Sequence, residues 1–400
     1  MMRWAGRLLL IFILSITGIL YIMIKRVQDD LTHIPGQLVK RPWRNPHKHV
    51  IIFAATKFFG MDITTERFLS KCYSTKGFCR ISENQTDLDK ADAILFHNAD
   101  YTSMAVPQPR RLSRPHILWS LESPTNDGFR PGPHVINWTM TFRQDADIWY
   151  PYGHFRKLDM NKSVDFDGIW NMKDKSKTAT WLASNCFTSN FRSDLIDAMQ
   201  KAGLKENGHK FTLNGKNSIS FPIDRYGKCG MPAPGCEGVD KQSDSCVAQL
   251  VRPYKFYISI ENSNCVDYVT EKFFEALISR MAVPIVLKRE IYKNIGAPAD
   301  SFIALDDFRN IGDMVEYVNE VAEDKQSYLK YHQWRSSYEV IPEHNDETGF
   351  CELCRRLQYD KLFSKSYEDV RKWHADEQCD NDYGKIFLPS IELAVRNEQA

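Results

Sequence analysis

Three features of the chain predict an α/β fold built as two layered units. Short β-rich apolar runs alternate with helical patterns. The 400 residues are enough to bury two ordinary cores. One strand–loop–helix unit, starting at Phe256, also carries a dense polar cluster at the place where open α/β sheets bind ligands. Its apolar run Phe256–Ile260 stops at Glu261-Asn262-Ser263, and Asp267-Tyr268-Val269-Thr270-Glu271-Lys272 follows. After Thr270, the residues Phe273, Phe274, Leu277, Ile278 and Met281 share one helical face. Lys272 falls in the first helical turn, where the helix dipole opposes a cation unless an anion holds it. The unit is expected to form a pocket for a negatively charged, hydroxyl-rich ligand.

The other elements follow in chain order. Leu8–Ile24 is an almost unbroken apolar run between Arg3 and Arg7 on one side and Lys25 and Arg26 on the other. It is at the short end for a bilayer span and no small-residue cleavage site follows, which favours a single transmembrane signal anchor over a removed signal peptide. Residues 1–7 are then a cytoplasmic tail, 8–24 the anchor and 25–49 a polar stem punctuated by Pro35, Pro42 and Pro46. Strands are expected at Val50–Ala55, Ala93–Asn98, Ile117–Ser120 and Ile148–Tyr152, with a helix within Asp62–Lys71. The Lys/Asp-rich stretch Asp165–Lys177 reads as a connection. Beyond it come strands at Ala179–Ser184, Phe211–Asn214, Phe256–Ile260, Val283–Leu287 and Ile303–Leu305. Helices are expected over Phe191–Ala202, after Thr270, and along Ile311, Met314, Val315, Val318 and Ala322. The domain divisions are 50–170, 171–345 and a C-terminal segment, 346–400.

Charge and cysteine usage narrow the class. Lys+Arg 52 against Asp+Glu 51 leaves +1, no basis for a nucleic-acid partner. Ten cysteines, several closely spaced, point to disulfides in an oxidising compartment. Asn84-Gln85-Thr86, Asn137-Trp138-Thr139 and Asn161-Lys162-Ser163 are acceptor triplets for N-glycosylation at Asn84, Asn137 and Asn161. Lysine and arginine on both sides of the apolar run leave its orientation open. Cysteines and sequons place the bulk of the chain in the secretory lumen, as in a type II membrane protein.

Several further segments join the first: Trp119-Ser120-Leu121-Glu122-Ser123-Pro124, Asn137 to Ile148, Pro151-Tyr152-Gly153, Ala183-Ser184-Asn185-Cys186 with Arg192, and Tyr226-Gly227-Lys228-Cys229-Gly230. In this order and spacing, with the block Tyr254–Leu287, they resemble the alpha-1,3-fucosyltransferase family from about Val50 to Cys354. The resemblance implies a GT-B-type glycosyltransferase with two Rossmann-like domains facing across a cleft, the first binding acceptor and the second GDP-fucose. It implies inverting transfer of L-fucose to the 3-hydroxyl of a GlcNAc in a protein-linked glycan, in the Golgi membrane.

Inverting transfer needs a base for the acceptor hydroxyl, charge stabilisation at the sugar and neutralisation of the departing diphosphate. Glu122, just beyond a strand and beside a Ser-Pro turn, matches the family's catalytic carboxylate. Arg192 and Lys272, from separate β–α junctions, match its diphosphate contacts. Asn262 and Glu271 are expected on sugar hydroxyls, Tyr268 in the pocket wall, and Glu261 either on the ligand or in a structural role. Asp145-Ala146-Asp147 looks like a metal motif, but it corresponds to a family segment that is not one. No metal is required for the diphosphate, although Mn²⁺ or Mg²⁺ stimulation is compatible with the site.

Cys351 and Cys354 are expected, from the family pattern, to tie back to Cys72 and Cys79 rather than share a zinc ion. Cys186, Cys229, Cys236 and Cys246 pair among themselves in an unassigned order, which leaves Cys265 and Cys379, one of them free. Gly215-Lys216-Asn217-Ser218 lacks the upstream glycine of a phosphate loop and reads as a turn. The chain departs from vertebrate members at Phe142, Gln144 and Phe273–Leu277, in the manner of invertebrate, particularly nematode, members. That favours slightly the innermost Asn-linked GlcNAc over a distal Lewis-type one. A catalytically silent, membrane-tethered glycan-binding relative is the alternative, and the retention of Glu122, Arg192 and Lys272 argues against it.

Overall fold

The structure, a computed structural model, describes residues 49–106, 114–202, 221–237, 242, 244–359 and 366–388. The expected tail, anchor and stem lie outside the described residues except for His49, as do the expected strand Phe211–Asn214 and turn Gly215–Ser218.

Thirteen strands are described: β1 Val50–Ala54, β2 Cys79–Ser82, β3 Ala93–His97, β4 His116–Trp119, β5 Trp138–Thr141, β6 Ile148–Trp149, β7 Gly153–Lys157, β8 Ala179–Leu182, β9 Ile223–Tyr226, β10 Phe256–Ile258, β11 Val283–Val286, β12 Ile303–Ala304 and β13 Tyr338–Pro342. They form a six-stranded sheet in the order β2-β1-β3-β4-β5-β6 and a five-stranded sheet in the order β12-β11-β10-β8-β9. Every pairing within both sheets is parallel. The antiparallel ribbon β7–β13 lies apart from them, with Gly153 opposite Pro342.

Parallel sheets are covered on both faces, which is why their strands read as apolar runs. In the first sheet Ile52, Leu95 and Ile117 belong to one core, and Phe53, Ile94 and Leu118 to the other. The C-terminal segment supplies cover to both faces. Phe350 and Leu353, on the helix Gly349–Tyr359, join the first core, and Tyr367 and Val370 join the second. Disulfides Cys72–Cys351 and Cys79–Cys354 hold that helix against the sheet, as the family pattern implied. The second sheet packs Phe256, Ile258, Val283 and Ile285 against the helices α1, Arg192–Ala202, and α2, Ile311–Glu323.

Several expectations change. The helix within Asp62–Lys71 is a single turn, Thr65–Phe68, capped by Thr64. Asp165–Lys177 is not a bare connection: Asp165 caps a helix, Phe166–Asn171, whose Ile169 is buried. The strands β2, β5, β7, β9 and β13 were not expected from sequence, because four or five residues carry too little periodicity. At Gly153 an added Cβ would lie 2.6 Å from the Phe274 ring. The glycine of Pro151-Tyr152-Gly153 therefore lets the ribbon seat against the helix Glu271–Ile278.

Candidate active site

β4 ends at Trp119, and the chain turns sharply because the amides of Asn126 and Asp127 both donate to the carbonyl of Ser123, at 3.0 and 2.9 Å. Ser120 Oγ accepts from the Glu122 amide at 3.2 Å and donates to Asp127 at 3.0 Å. This turn folds the Glu122 carboxylate back on its own loop, where Oε1 accepts from the Ser123 amide at 2.9 Å and from Asn126 Nδ2 at 3.3 Å. The same oxygen accepts from the Tyr268 phenol at 2.6 Å and faces Asn262 Nδ2 at 3.5 Å. Oε2 makes no hydrogen bond among the described residues, so one oxygen is pinned and the other is unengaged. The loop after β4 meets the loop after β10 again where the hydroxyls of Ser123 and Ser263 lie 2.8 Å apart.

The loop after β10 is built around Glu261, which is 5% exposed. Its Oε1 accepts from the Thr270 amide and hydroxyl, both at 2.8 Å, and Thr270 caps the helix Glu271–Ile278. Lys272 Nζ reaches Thr270 Oγ1 at 3.0 Å, Glu271 Oε1 at 3.1 Å and Glu261 Oε2 at 3.4 Å. The anion that the cation needed at a helix start is thus supplied internally, and Glu261 takes the structural role. Burial works against the Lys272 charge, yet Glu261 and Glu271 outweigh it and raise its pKa above the usual lysine value. Burial likewise opposes ionisation of Glu271, but Lys272 holds its pKa below the ordinary value. Burial wins at Glu261, whose pKa is raised.

Arg192 opens α1 after β8, and β8 lies next to β10, so Arg192 and Lys272 do rise from adjacent strands. Its guanidinium is almost fully buried, packs 5.6 Å from the centre of the Trp181 ring, and donates to the carbonyls of Asn185 and Ile260. It ties the loops after β8 and β10 together. Burial lowers its pKa from the arginine value, with Glu261 acting in the opposite direction. Asn190 adds a second tie, donating to the Glu261 carbonyl at 2.7 Å. Asn262 Oδ1 is buried with no partner among the described residues, an acceptor left over for a ligand donor.

Glu122 and Glu271 line one cleft of about 630 Å³, walled by Trp119 from the first sheet and by Phe274 and Glu275 from the helix Glu271–Ile278. Tyr152 also lines it and donates to the Leu121 carbonyl at 2.7 Å, bracing the Glu122 loop. Tyr152 is the middle residue of Pro151-Tyr152-Gly153, and Ser263 closes Glu261-Asn262-Ser263. Nothing in spacing alone shows that their hydroxyls support Glu122.

The remaining candidates are placed as follows. Asp145 forms a two-point ion pair with Arg143 (2.8 and 2.6 Å), and Asp147 accepts from the Tyr367 phenol at 2.7 Å, so both carboxylates serve the fold. Among the described residues no group of three or more His, Cys, Asp or Glu could hold a metal ion. Asn84 and Asn161 are exposed, whereas Asn137 is 8% exposed and its Oδ1 accepts from the His116 amide at 2.9 Å. The expected glycan at Asn137 conflicts with that burial. Cys186 pairs with Cys229 and Cys236 with Cys246. The expected free thiol does not occur, because Cys265 and Cys379 pair with each other beside the site.

Comparison with known proteins agrees with this arrangement. The family described as "Fucosyltransferase, N-terminal" matches residues 46–153, and "Glycosyltransferase family 10 (fucosyltransferase) C-term" matches residues 172–373. The chain is 48% identical to Alpha-(1,3)-fucosyltransferase fut-6 of Caenorhabditis elegans, over 85% of this chain and 84% of that one. It is 33% identical to Alpha-(1,3)-fucosyltransferase fut-5 of the same organism, over 85% and 86%. A crystal structure of an alpha1,3-fucosyltransferase with GDP-fucose aligns at 14% identity over 82% of this chain and 95% of its own, with a TM-score of 0.49. Both halves of the family pattern and two relatives matched across most of their length establish that this chain belongs to the alpha-1,3-fucosyltransferases of glycosyltransferase family 10.

Proposed function

We propose that the chain transfers L-fucose from GDP-fucose, with inversion, to the 3-hydroxyl of a GlcNAc in protein-linked glycans, the innermost Asn-linked GlcNAc being preferred. The observation that carries this reading is the meeting of Glu122 with Tyr268 and Asn262, on the loop that leads into Lys272. In the proposed step the acceptor hydroxyl gives its proton to Glu122 Oε2 and its oxygen forms a bond to the fucose anomeric carbon. The carbon–oxygen bond to the diphosphate breaks on the opposite face, and its electron pair leaves with GDP. Lys272 meets the departing charge, and Arg192 adds positive potential from beneath the same loops. Asn262 and Glu271 address the fucose hydroxyls, with Tyr268 in the wall.

Residues 50–170 are read as the acceptor side and 171–345 as the donor side of a GT-B-type pair, with residues 8–24 anchoring the chain in the Golgi membrane as a type II protein. Lys272 and Arg192 supply the diphosphate charge without a metal, so EDTA should leave transfer measurable, and added Mn²⁺ or Mg²⁺ should at most stimulate it. N-glycans are proposed at Asn84 and Asn161 and not at Asn137, which peptide mass spectrometry after enzymatic deglycosylation reads directly.

The test is a transfer assay with the detergent-solubilised chain, GDP-fucose, a paucimannose glycopeptide and an N-acetyllactosamine glycan presented together. Fucose on the core 3-hydroxyl supports the full reading. Fucose on the distal 3-hydroxyl keeps the chemistry and corrects the acceptor. Failure to bind or turn over GDP-fucose overturns it.

A further inference from the structure

Beside Glu122, the first sheet presents an aromatic cluster that the transfer step does not use. Trp119, three residues before Glu122, stacks on Phe58 with ring centres 4.8 Å apart and planes 8° from parallel. His97 packs against Phe58, Phe59 and Trp119 at 4.8, 4.7 and 5.0 Å. Burial lowers the His97 pKa, so near neutral pH the ring is an uncharged member of the cluster. Three of these rings are wholly or partly covered, but Phe59 is 64% exposed. Phe58, Phe59, His97 and Trp119 all line the same cleft as Glu122 and Glu271.

Phe59 is held in this position against its own preference. Its φ is +50°, a left-handed conformation that a bulky aromatic residue rarely adopts. The turn is over-determined. Phe58 and Met61 exchange amide–carbonyl hydrogen bonds at 2.8 and 3.0 Å. Asp100 accepts from the amides of Phe59 and Gly60 at 2.8 and 3.2 Å, and lies 2.6 Å from His97 Nδ1. In spite of its edge contacts with His97 and Phe58, most of this large apolar ring stays in solvent at the mouth of the cleft on a strained backbone, and such strain gathers at ligand clamps.

We propose that Phe59 is a specificity-determining platform for the acceptor: the apolar face of a pyranose ring adjoining the fucosylated GlcNAc stacks on it. Equatorial hydroxyls leave one face of such a ring lined with C–H groups, which suits an exposed aromatic face beside polar cleft walls. This inference rests on the fucosyl-transfer reading above. Phe59 would make the enzyme favour extended glycans over a minimal acceptor and would have no part in donor binding.

The test compares kcat/KM for the paucimannose glycopeptide with that for a minimal acceptor, a single GlcNAc on a peptide asparagine. The full chain is used as wild type, Phe59→Gly and Phe59→Tyr. Glycine removes the ring at a φ it accepts freely, so the fold does not suffer from the backbone conformation. The expected result is at least a tenfold fall in the extended-to-minimal ratio for Phe59→Gly, carried by KM for the glycopeptide, and recovery of most of the ratio in Phe59→Tyr. An unchanged ratio in Phe59→Gly, or equal losses on both acceptors, overturns the platform while leaving the transfer reading intact. Absence of transfer by the wild type to either acceptor overturns the platform and the core-GlcNAc acceptor, and the fucosyl-transfer reading falls with them only if the N-acetyllactosamine glycan is not fucosylated either.

Discussion

The Tyr268 phenol donates to Glu122 Oε1 at 2.6 Å, joining two residues 146 positions apart on loops that leave two different sheets. The contact sets the direction in which Glu122 presents its second oxygen. Tyr268 is buried, and burial, followed by the charges around it, raises its pKa well above the ordinary value, so it remains a donor across the working range.

Tyr268→Phe keeps the ring against Phe142 and removes this one bond. A hydrogen bond to a charged group is worth about 1.5–3 kcal/mol, so kcat should fall roughly 10- to 100-fold. Glu122→Gln should cost on the order of 10²–10⁴ if it removes the base. Because the phenol acts through Glu122, Tyr268→Phe should add little in the Glu122→Gln background. Full additivity of the two losses in single-turnover rates would contradict the pairing.

Lys272 stands between two carboxylates, Glu261 and Glu271. Lys272→Met leaves the buried Glu261 and the partly exposed Glu271 without their cation, and breaking a buried pair such as Lys272–Glu261 costs about 3–5 kcal/mol. The Tm at pH 7.5 should fall accordingly, and GDP-fucose affinity with it. The pH sign follows from Glu271, whose folded pKa lies below its ordinary value: its stabilisation is present above that ordinary value and lost as pH falls through the folded one. The variant lacks this contribution, so the Tm gap from wild type should narrow on acidification. A gap that widens between pH 7.5 and 4.5 would exclude the arrangement.

Much of this site was legible in the chain because it is local. Glu261 through Lys272 spans one strand–loop–helix unit, and its polar cluster, helical face and misplaced cation are visible in one stretch. Glu122 was legible through its motif, after a strand whose apolar run is Ile117-Leu118-Trp119. The unreadable parts depend on chain crossing. Nothing near Cys265 or Cys379 shows that they meet, and Asn137 looks like any sequon until β5 buries it. Phe59 resembles a core phenylalanine in sequence, and only its φ and exposure set it apart. Arg192 was identified by position, but nothing in its local sequence shows that its guanidinium turns under the loops to bond the Asn185 and Ile260 carbonyls.

Acid sensitivity should come from buried histidines. His374 is fully buried and stacked on Phe129 with ring centres 3.6 Å apart. Burial, with Arg143 beside it, lowers its pKa from 6.5 to about 3, while a contact with the Asp127 backbone acts weakly the other way. The folded state keeps this ring neutral and the unfolded state protonates it. Stability is therefore complete above pH 6.5 and falls toward pH 3, at up to about 1.4 kcal/mol per pH unit. His97, His154 and His332 have lowered pKa values as well and add to the slope. His374→Phe preserves a stacking ring and should flatten the decline of Tm between pH 6.5 and 4.5. A slope identical to wild type would remove His374 from the account.

The Cys265–Cys379 disulfide joins the loop after β10 to the C-terminal segment over 114 residues of sequence. Its surroundings act as a clamp. The Val266 amide donates to the Gln378 carbonyl at 2.8 Å, and the Asp380 amide to the Asn264 carbonyl at 2.9 Å. Asn264 returns a bond from Nδ2 to the Asp380 carbonyl at 2.8 Å. Asn262 and Tyr268, the two residues facing Glu122, lie on either side of this clamp. Closing a loop of this length gives at most about 4–5 kcal/mol in the chain-entropy picture. Cys72–Cys351 and Cys79–Cys354 already constrain much of the same chain, which reduces that figure. Replacing both cysteines with serine should therefore lower Tm by only a few degrees, while kcat falls several-fold at temperatures where both proteins are folded. Hydrogen exchange should quicken at residues 262–268 before it does in β10 or β11. Unchanged kcat together with unchanged exchange at those residues would mean that the disulfide serves only the C-terminal segment.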